Sequence, residues 1–151
     1  MSKVFPIAPA SPKVIGLLAV IIILLSIVLA ALAYTGYSAY HSRVEVHHGQ
    51  IHLMGDFWAR SLPIQSLDLE RAEILNLSRQ SKYALRVRTF GTSLPGYSSG
   101  WFRLRNGEKA LAYLTSQKSV VYLPTSLGYS LLLNVKQPHE FLSTLRSQSD
   151  R

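Results

Sequence analysis

One serine of the sequence lies in a pattern that hydrolases use for nucleophilic catalysis. Residues 96–100 read Gly-Tyr-Ser-Ser-Gly, which fits G-x-S-x-G with Ser98 as the nucleophile. That chemistry requires a strand before the serine and a helix after it, because a sharp turn must hold the hydroxyl exposed. From Trp101 onward, however, the sequence alternates like a strand. We therefore assign no catalytic residue and expect no enzyme, although Glu108 and His139 are the acid and base that Ser98 would need.

Histidines form a second group with chemical potential, since imidazole is a common metal ligand whose nitrogen must lie about 2.1 Å from the ion. The group consists of His47, His48 and His52. Of these, His48 and His52 are expected to face each other across a tight turn. Two ligands do not complete a site, so Glu45 or Asp56 would have to be added. The pattern favours exposed polar residues on a hairpin, and we expect no metal and no cofactor.

Carboxylates form a third group, at Asp68, Glu70 and Glu73. Paired carboxylates divide acid and base roles only where burial separates their pKa values. With Arg71 and Arg79 close in sequence, we expect solvated ion pairs instead. The chain also has no cysteine, no glycine-rich phosphate loop and no H-E-x-x-H motif, which excludes thiolate chemistry and the commonest cofactor sites.

Positive charge is concentrated in the second part of the chain. The sequence has 16 Lys and Arg against 8 Asp and Glu, and 14 of those cations lie after residue 34. A basic surface near a membrane is attracted to anionic headgroups by about 1 kcal/mol per cation. The candidate lipid-binding residues are Arg79, Lys82, Arg86, Arg88, Arg103 and Arg105. The alternative is that these cations only keep a small domain soluble; we expect no nucleic-acid partner.

An uncharged apolar run precedes this basic part. Residues 14–33 contain Ser26 as their only hydroxyl, and as a helix they would span about 30 Å, the thickness of the hydrocarbon core of a bilayer. Lys13 precedes the run. Aromatic residues suited to the headgroup region follow it, namely Tyr34, Tyr37 and Tyr40. The run therefore predicts a single transmembrane helix.

A cleaved signal peptide is the alternative to this anchor, because residues 31–33 fit the small-x-small cleavage pattern. Apolar cores of signal peptides usually run only about 7–15 residues, which favours an uncleaved anchor in a bacterial cell membrane. Lys3 and Lys13 precede the helix and only Arg43 follows it closely, so we expect the tail inside and the larger domain extracytoplasmic. The expected layout is a tail at residues 1–13, a transmembrane helix at 14–33 and a juxtamembrane linker at 34–42.

The second part of the chain consists of short alternating apolar runs separated by turn residues, a pattern typical of β-strands. A first hairpin is predicted from apolar residues at period two, Val44 and Val46 and then Ile51 and Leu53. Further strands are predicted over residues 57–64, 72–77, 83–89, 119–123 and 129–135. Pro63 must lie at an edge or an end, since it cannot donate to a ladder.

The clearest hairpin signal lies in residues 101–114. Asn106 and Gly107 separate two alternating segments, and this dipeptide is typical of two-residue turns in which both residues have positive φ. On the first strand of this hairpin, Phe102 and Leu104 share one face and the arginines lie on the other.

A short amphipathic helix is predicted to close the chain. Pro138 stands where the first turn of a helix accepts proline, and apolar residues follow at helical spacing. About seven antiparallel strands and one closing helix indicate an all-β barrel or sandwich. We expect the core to include Trp101, Phe102, Leu104 and Phe141.

Three stretches carry a family resemblance: residues 91–135, which begin GTSLPGYSSGWFRLRNG, residues 51–67 with their Leu-Pro-Ile, and residues 138–145. Together they resemble the bacterial pleckstrin-homology-like (PH-like) domains. The resemblance implies a mainly β, PH-like split barrel of about seven antiparallel strands in two near-orthogonal sheets. A C-terminal helix would cap it, and one transmembrane helix would precede it. The expected domain covers residues 43–147, followed by a tail at 148–151.

The resemblance implies binding rather than catalysis, and such domains often accompany transmembrane helices. In pleckstrin-homology domains that bind phosphoinositides, the first hairpin loop supplies Lys and Arg ligands. Residues 47–50 read His-His-Gly-Gln here, which argues against specific inositol-phosphate recognition.

We therefore expect a membrane-anchored module that mediates protein interaction or oligomerisation through exposed sheet edges. The alternative is electrostatic binding of anionic lipid headgroups through the basic residues. The expected partners are the lipid bilayer and a protein or a second copy of the chain. Salt separates the two hypotheses, because electrostatic binding weakens as the Debye length shrinks.

Overall fold

The structure is a computed structural model, and it describes residues 11–55 and 57–149. The chain divides into two compact units, Met1–Tyr37 and Ser38–Arg151. The described part of the first unit is helical, and the second unit carries the strands described below. Lys3, Asp56 and the side chain of Tyr40, which the sequence singles out, lie outside the described residues.

The first helix, α1, extends over Pro12–His41 and contains the apolar run predicted to enter a membrane. Its apolar side chains are exposed on all sides, with Ile22 62%, Leu25 63% and Leu29 69% exposed. A helix that is apolar all round needs an apolar medium or a partner to cover it. Among the described residues, Pro12–Ser38 is long and apolar enough to cross a membrane, a test that an N-terminal signal sequence also passes.

Two hydroxyl groups of α1 donate to carbonyl groups of the helix itself. Ser26 Oγ donates to Ile22 O at 2.8 Å, and Thr35 Oγ1 donates to Ala31 O at 2.9 Å. Such internal bonds remove the need for water at these positions. The helix also continues beyond the apolar run, so the expected linker at residues 34–42 is helical as far as His41.

A three-stranded antiparallel sheet begins the second unit, in the order β1-β2-β3. Its strands are β1 (Arg43–His47), β2 (Gln50–Met54) and β3 (Arg60–Pro63). The predicted first hairpin is confirmed, with Val44 opposite Leu53 and Val46 opposite Ile51. Pro63 ends an edge strand, as its missing N–H requires.

A six-stranded sheet follows, in the order β4-β8-β9-β7-β6-β5. Its strands are β4 (Glu73–Leu75), β5 (Leu85–Leu94), β6 (Tyr97–Leu104), β7 (Lys109–Leu114), β8 (Val120–Pro124) and β9 (Ser130–Leu133). Each residue of β8 and β9 is buried, as in a strand that is covered on both faces.

The mainly β fold class with a C-terminal helix is confirmed, and its details differ from the expectation. The described residues form nine strands rather than about seven, in two sheets as expected, and these sheets do not close into a barrel. One pair, β7 and β9, is parallel, with Ala110 opposite Ser130 and Tyr113 opposite Leu133. This pairing arises because β9 lies between β8 and β7 in the sheet. It is antiparallel to β8 and therefore runs parallel to β7.

The hairpin at Asn106 and Gly107 is present, but its turn is of a different kind. The Gly107 N–H donates to Leu104 O at 3.0 Å, so Arg105 and Asn106 are the central residues of the turn. Of the dipeptide, only Gly107 has a positive φ, of 87°. The prediction of positive φ at both residues was wrong, because the turn begins one residue earlier and forms a three-residue loop.

The larger core lies between one face of the six-stranded sheet, the three-stranded sheet and the second helix, α2 (Pro138–Ser149). Leu142 and Leu145 of α2 are 6% and 0% exposed. Phe141 is only half-buried at the margin of this core, and so is Trp101. The expectation that these two aromatic residues form the core is corrected, whereas Phe102 and Leu104 are buried in the second core.

The second core lies on the other face of the six-stranded sheet. Because β4 and β5 are at opposite edges of this sheet, residues 76–84 must cross from one edge to the other. Leu77 and Tyr83 of this connection pack against Phe102 and Tyr122 of the sheet. The connection therefore covers the face and brings its own polar residues to the end of β5.

Candidate binding surface

In the β5–β6 hairpin, Gly91 of β5 is paired directly with Gly100 of β6. Their φ values are 141° and 123°, which favour glycine. A Cβ on Gly100 would lie 2.5 Å from Phe90 O, so the two backbones approach too closely for side chains. The hairpin is therefore shaped at this point by the absence of side chains.

The outer edge of β5 is not paired with any described strand, because β5 is the last strand of its sheet. Three apolar side chains on it are exposed, with Val87 51%, Phe90 68% and Leu94 46% exposed. The pairing to β6 is irregular between residues 85 and 90 and regular over residues 90–94. We call the outer side of residues 90–94 the β5 edge.

A cleft of about 620 Å³ lies beside this hairpin. Three arginines line it, and we call it the arginine cleft: Arg79, Arg86 and Arg105. The same cleft is lined by Ser93 and Ser98 from the tip of the hairpin. Its lining residues include no Asp and no Glu, so three positive charges face it without a carboxylate.

Hydrogen bonds hold one arginine of the cleft, Arg105, in place. The Arg105 N–H donates to Ala84 O at 3.0 Å, and the Asn106 N–H donates to Lys82 O at 2.9 Å. The Arg105 guanidinium also donates to the carbonyl of Arg79. The turn after β6 is thereby fixed to the connection 76–84.

Three of the six candidate lipid-binding residues are among the residues that line the arginine cleft. Arg79, Arg86 and Arg105 line the cleft, whereas the other three lie elsewhere. Arg103 is on the opposite face of the sheet from its neighbour Phe102, and its guanidinium donates to Gly107 O at 2.9 Å. Arg88 is opposite Phe102 on the edge strand, and Lys82 Nζ lies 4.8 Å from the centre of the Tyr83 ring.

Cations and aromatic rings form a further cluster that the sequence does not predict. The Arg60 guanidinium carbon lies 4.9 Å from the ring centre of Trp101, and Lys109 Nζ lies 4.4 Å from it. Trp101 also contacts Tyr129 edge-on, with ring centres 4.9 Å apart. Arg60 comes from the other sheet, so only the tertiary structure brings these residues together. Such contacts each contribute about 0.5–2 kcal/mol.

The histidines meet differently from the expectation. His47, rather than His48, stacks on His52, with ring centres 4.3 Å apart. Positions 47 and 52 are diagonal neighbours in the β1–β2 register, whereas His48 lies in the turn. His52 Nδ1 is 2.6 Å from Ser61 Oγ. Among residues 11–55 and 57–149, no three His, Asp or Glu side chains converge as metal ligands.

The residues of the hydrolase-like pattern serve other roles. Ser98 lies in β6, which begins at Tyr97 and therefore earlier than the strand expected from Trp101 onward, and strand rather than helix follows the serine. Glu108 accepts hydrogen bonds from the Tyr122 hydroxyl, at 3.0 Å to each carboxylate oxygen, and from Ser130 Oγ at 2.6 Å. Burial raises the pKa of Tyr122 above its ordinary value of 10.0, which keeps the phenol protonated and donating. Glu108 is therefore bound in a structural network.

The carboxylates near Arg71 form a weak surface pair. Arg71 Nη1 lies 3.8 Å from Asp68 Oδ2, and both side chains are more than one third exposed. A pair of this kind contributes about 0–1 kcal/mol. The expected solvated ion pairing is confirmed for these two residues.

Comparison with protein families gives one finding for this domain. A family model described as Bacterial PH domain matches residues 42–149, which include both sheets and α2. Comparison with curated proteins and with solved structures finds no match. The two sheets, the C-terminal helix and this match agree with the resemblance in the sequence. The chain therefore belongs to the bacterial PH domain family.

Proposed function

We propose that residues 42–149 form a non-catalytic binding module that adds an extended segment of a partner protein to the β5 edge. The observation that carries this proposal is the unpaired edge of β5 with its exposed Phe90 and Leu94. PH domains are in general binding modules without catalysis, which supports a binding role. Strand addition needs an open row of N–H and C=O groups and no deep pocket.

The length and regularity of the β5 edge suit such a partner. Five regular residues extend about 17 Å at about 3.4 Å per residue, an ordinary strand length. The two irregular positions between residues 85 and 90 make the first half of β5 a poorer template. We therefore place the added strand along residues 90–94.

Charge defines the partner further. From Leu85 to Arg105, which covers β5, β6 and the first residue after β6, the chain has four arginines and no Asp or Glu. A partner segment that is apolar along residues 90–94 and acidic where it continues past Phe90 would complement Arg88 and Arg86 as well as Phe90. The same arginines disfavour basic partners through like-charge contacts.

We further propose that α1 is an uncleaved single-pass anchor and that the domain is extracytoplasmic. The helix has the length and the apolar surface for a membrane span. The cations on the N-terminal side of the helix, Lys3 and Lys13, outnumber Arg43 on the other side. The module would then act next to the bacterial cell membrane.

The test uses the full chain in nanodiscs of neutral phosphatidylcholine. The probe is a fluorescent peptide of alternating Glu and Val, and binding is measured by fluorescence anisotropy. Phe90→Lys with Leu94→Lys should abolish binding, because the apolar contacts are lost. Matched controls are Leu127→Lys, which changes an exposed leucine in a distant loop, and a Lys-Val peptide, which should not bind. Equal binding by wild type and the double variant would exclude the β5 edge.

A second candidate function is attraction to anionic lipid, which the exposed Arg86 and Arg88 favour. Residues 42–151 should then float with anionic vesicles at low salt and not at high salt. Arg86→Glu with Arg88→Glu should abolish flotation. Flotation that survives high salt, or that the double variant keeps, would contradict this candidate.

A further inference from the structure

We propose that the arginine cleft is a discrete binding site for a phosphate monoester that carries an apolar group. The cleft shares Ser93 and Leu94 with the β5 edge, but binding of a small ester in it differs from strand addition along that edge and from diffuse attraction to a lipid surface. Its volume of about 620 Å³ lies in the range of small-molecule sites, about 300–1,000 Å³. Inorganic phosphate alone would leave much of this space empty.

The charge of the cleft selects a doubly charged group. Three arginines are among its lining residues and no Asp or Glu is, so a single carboxylate ligand would leave an excess of positive charge. Arginine forms bidentate, charge-assisted hydrogen bonds with phosphate oxygens. A phosphate monoester near neutral pH carries close to two negative charges and three terminal oxygens.

The arginines reach the cleft from three segments that are fixed to one another. Arg79 lies in the connection 76–84, Arg86 is in β5, and Arg105 is in the turn after β6. The hydrogen bonds from Arg105 to Ala84 and Arg79 hold two of these segments together. The segments that carry Arg79 and Arg105 are therefore held together before a ligand arrives, which lowers the entropy lost on binding.

The rest of the lining fits the ester and an apolar group. Hydroxyl groups that can donate to phosphate oxygens come from Ser78, Ser93, Ser98, Thr115 and Ser116. Apolar surface comes from Leu77, Leu85, Leu94 and Leu114. Hydroxyl donors and apolar surface in one basic cleft favour an amphiphilic ligand over a bare ion.

The test uses the full chain in phosphatidylcholine nanodiscs, with phenyl phosphate as the probe and isothermal titration calorimetry as the measurement. We expect saturable binding at one site per chain, and weaker binding of inorganic phosphate. Arg86→Gln and Arg105→Gln should each weaken binding by about tenfold or more, since each removes a charge-assisted hydrogen bond. Arg86→Gln is the cleaner variant, because the Arg105 guanidinium also bonds the main chain.

Matched controls are Arg88→Gln and Arg103→Gln, which remove the same charge from β5 and β6 at residues that do not line the cleft. These variants should bind phenyl phosphate nearly as wild type does. Lack of saturable binding by wild type would overturn the proposal. Equal weakening by cleft and control variants would also overturn it, since that result indicates diffuse electrostatics.

A second arm distinguishes a lipid from a soluble ligand. Nanodiscs that contain phosphatidic acid should block phenyl phosphate if the natural ester is a membrane lipid, and should leave its binding unchanged if the ester is soluble. Both results require a phosphate site in the cleft and therefore support it. The two proposals can fail independently. Arg105→Gln should weaken binding of phenyl phosphate and leave binding of the Glu-Val peptide to the β5 edge unchanged.

Discussion

Gly91 and Gly100 are direct partners in the β5–β6 ladder, and neither has room for a Cβ. Each would place its Cβ against the backbone of the opposite strand, at Ser99 and Phe90 respectively. The glycine pair therefore permits a backbone approach that side chains would prevent. The same hairpin carries the β5 edge and part of the arginine cleft.

Gly100→Ala should destabilise the domain by about 2 kcal/mol or more, since a positive φ and a backbone clash act together. The matched control is Gly96→Ala, whose φ is 77° but which has no atom within 4 Å of the added Cβ. This control should lose only about 1 kcal/mol. The measurement is the free energy of unfolding of residues 42–151 in urea. Equal losses for the two variants would contradict the close approach.

Leu145→Ala should lower the free energy of unfolding by about 2–5 kcal/mol, because Leu145 is 0% exposed in the larger core. Phe141→Ala should cost less, since Phe141 is only half-buried beside the same core. Urea denaturation of both variants checks this order. A larger loss for Phe141→Ala would show that the helix presents a different face to the core.

Tyr122→Phe should change the pH dependence of stability. The pKa of Tyr122 is raised in the folded state, so its contribution is fully present below the unfolded pKa of about 10. That contribution is lost as the pH rises through the folded value, because the folded phenol must ionise within the core. The free energy of unfolding should therefore fall less for Tyr122→Phe than for wild type when the pH is raised from neutral to strongly alkaline. Parallel curves for the two proteins would contradict this role.

Leu24→Arg should impair membrane insertion of α1, because an arginine at the centre of a transmembrane helix costs about 2.5–3.5 kcal/mol. Leu24 lies near the middle of the apolar run and is 58% exposed on the helix. Alkaline extraction of membranes measures the effect, with Leu127→Arg as the control. The mass of the membrane-bound wild-type protein also distinguishes an anchor from a cleaved signal. Extraction of wild type at alkaline pH would contradict the anchor.

Local patterns in the sequence account for much of this protein. The uncharged run at residues 14–33 indicates a membrane segment, and the alternation around the first turn places Val44 opposite Leu53. Both follow from short-range physics, since hydropathy and the two-residue period depend on neighbours in the chain. The turn at Asn106 and Gly107 was located correctly and assigned the wrong geometry, because the loop length depends on the strand register.

The candidate sites depend on distant pairings that no local pattern contains. The sequence groups six basic residues by proximity, but only Arg79, Arg86 and Arg105 line one cleft. They meet there because residues 76–84 cross the six-stranded sheet from β4 at one edge to β5 at the other. Thus the sequence by itself determines a helix long and apolar enough to cross a membrane, most strands and the family, whereas tertiary structure alone decides which charges converge. The physical reason is that convergence depends on non-local strand pairing, and strand periodicity carries no information about which strands become neighbours.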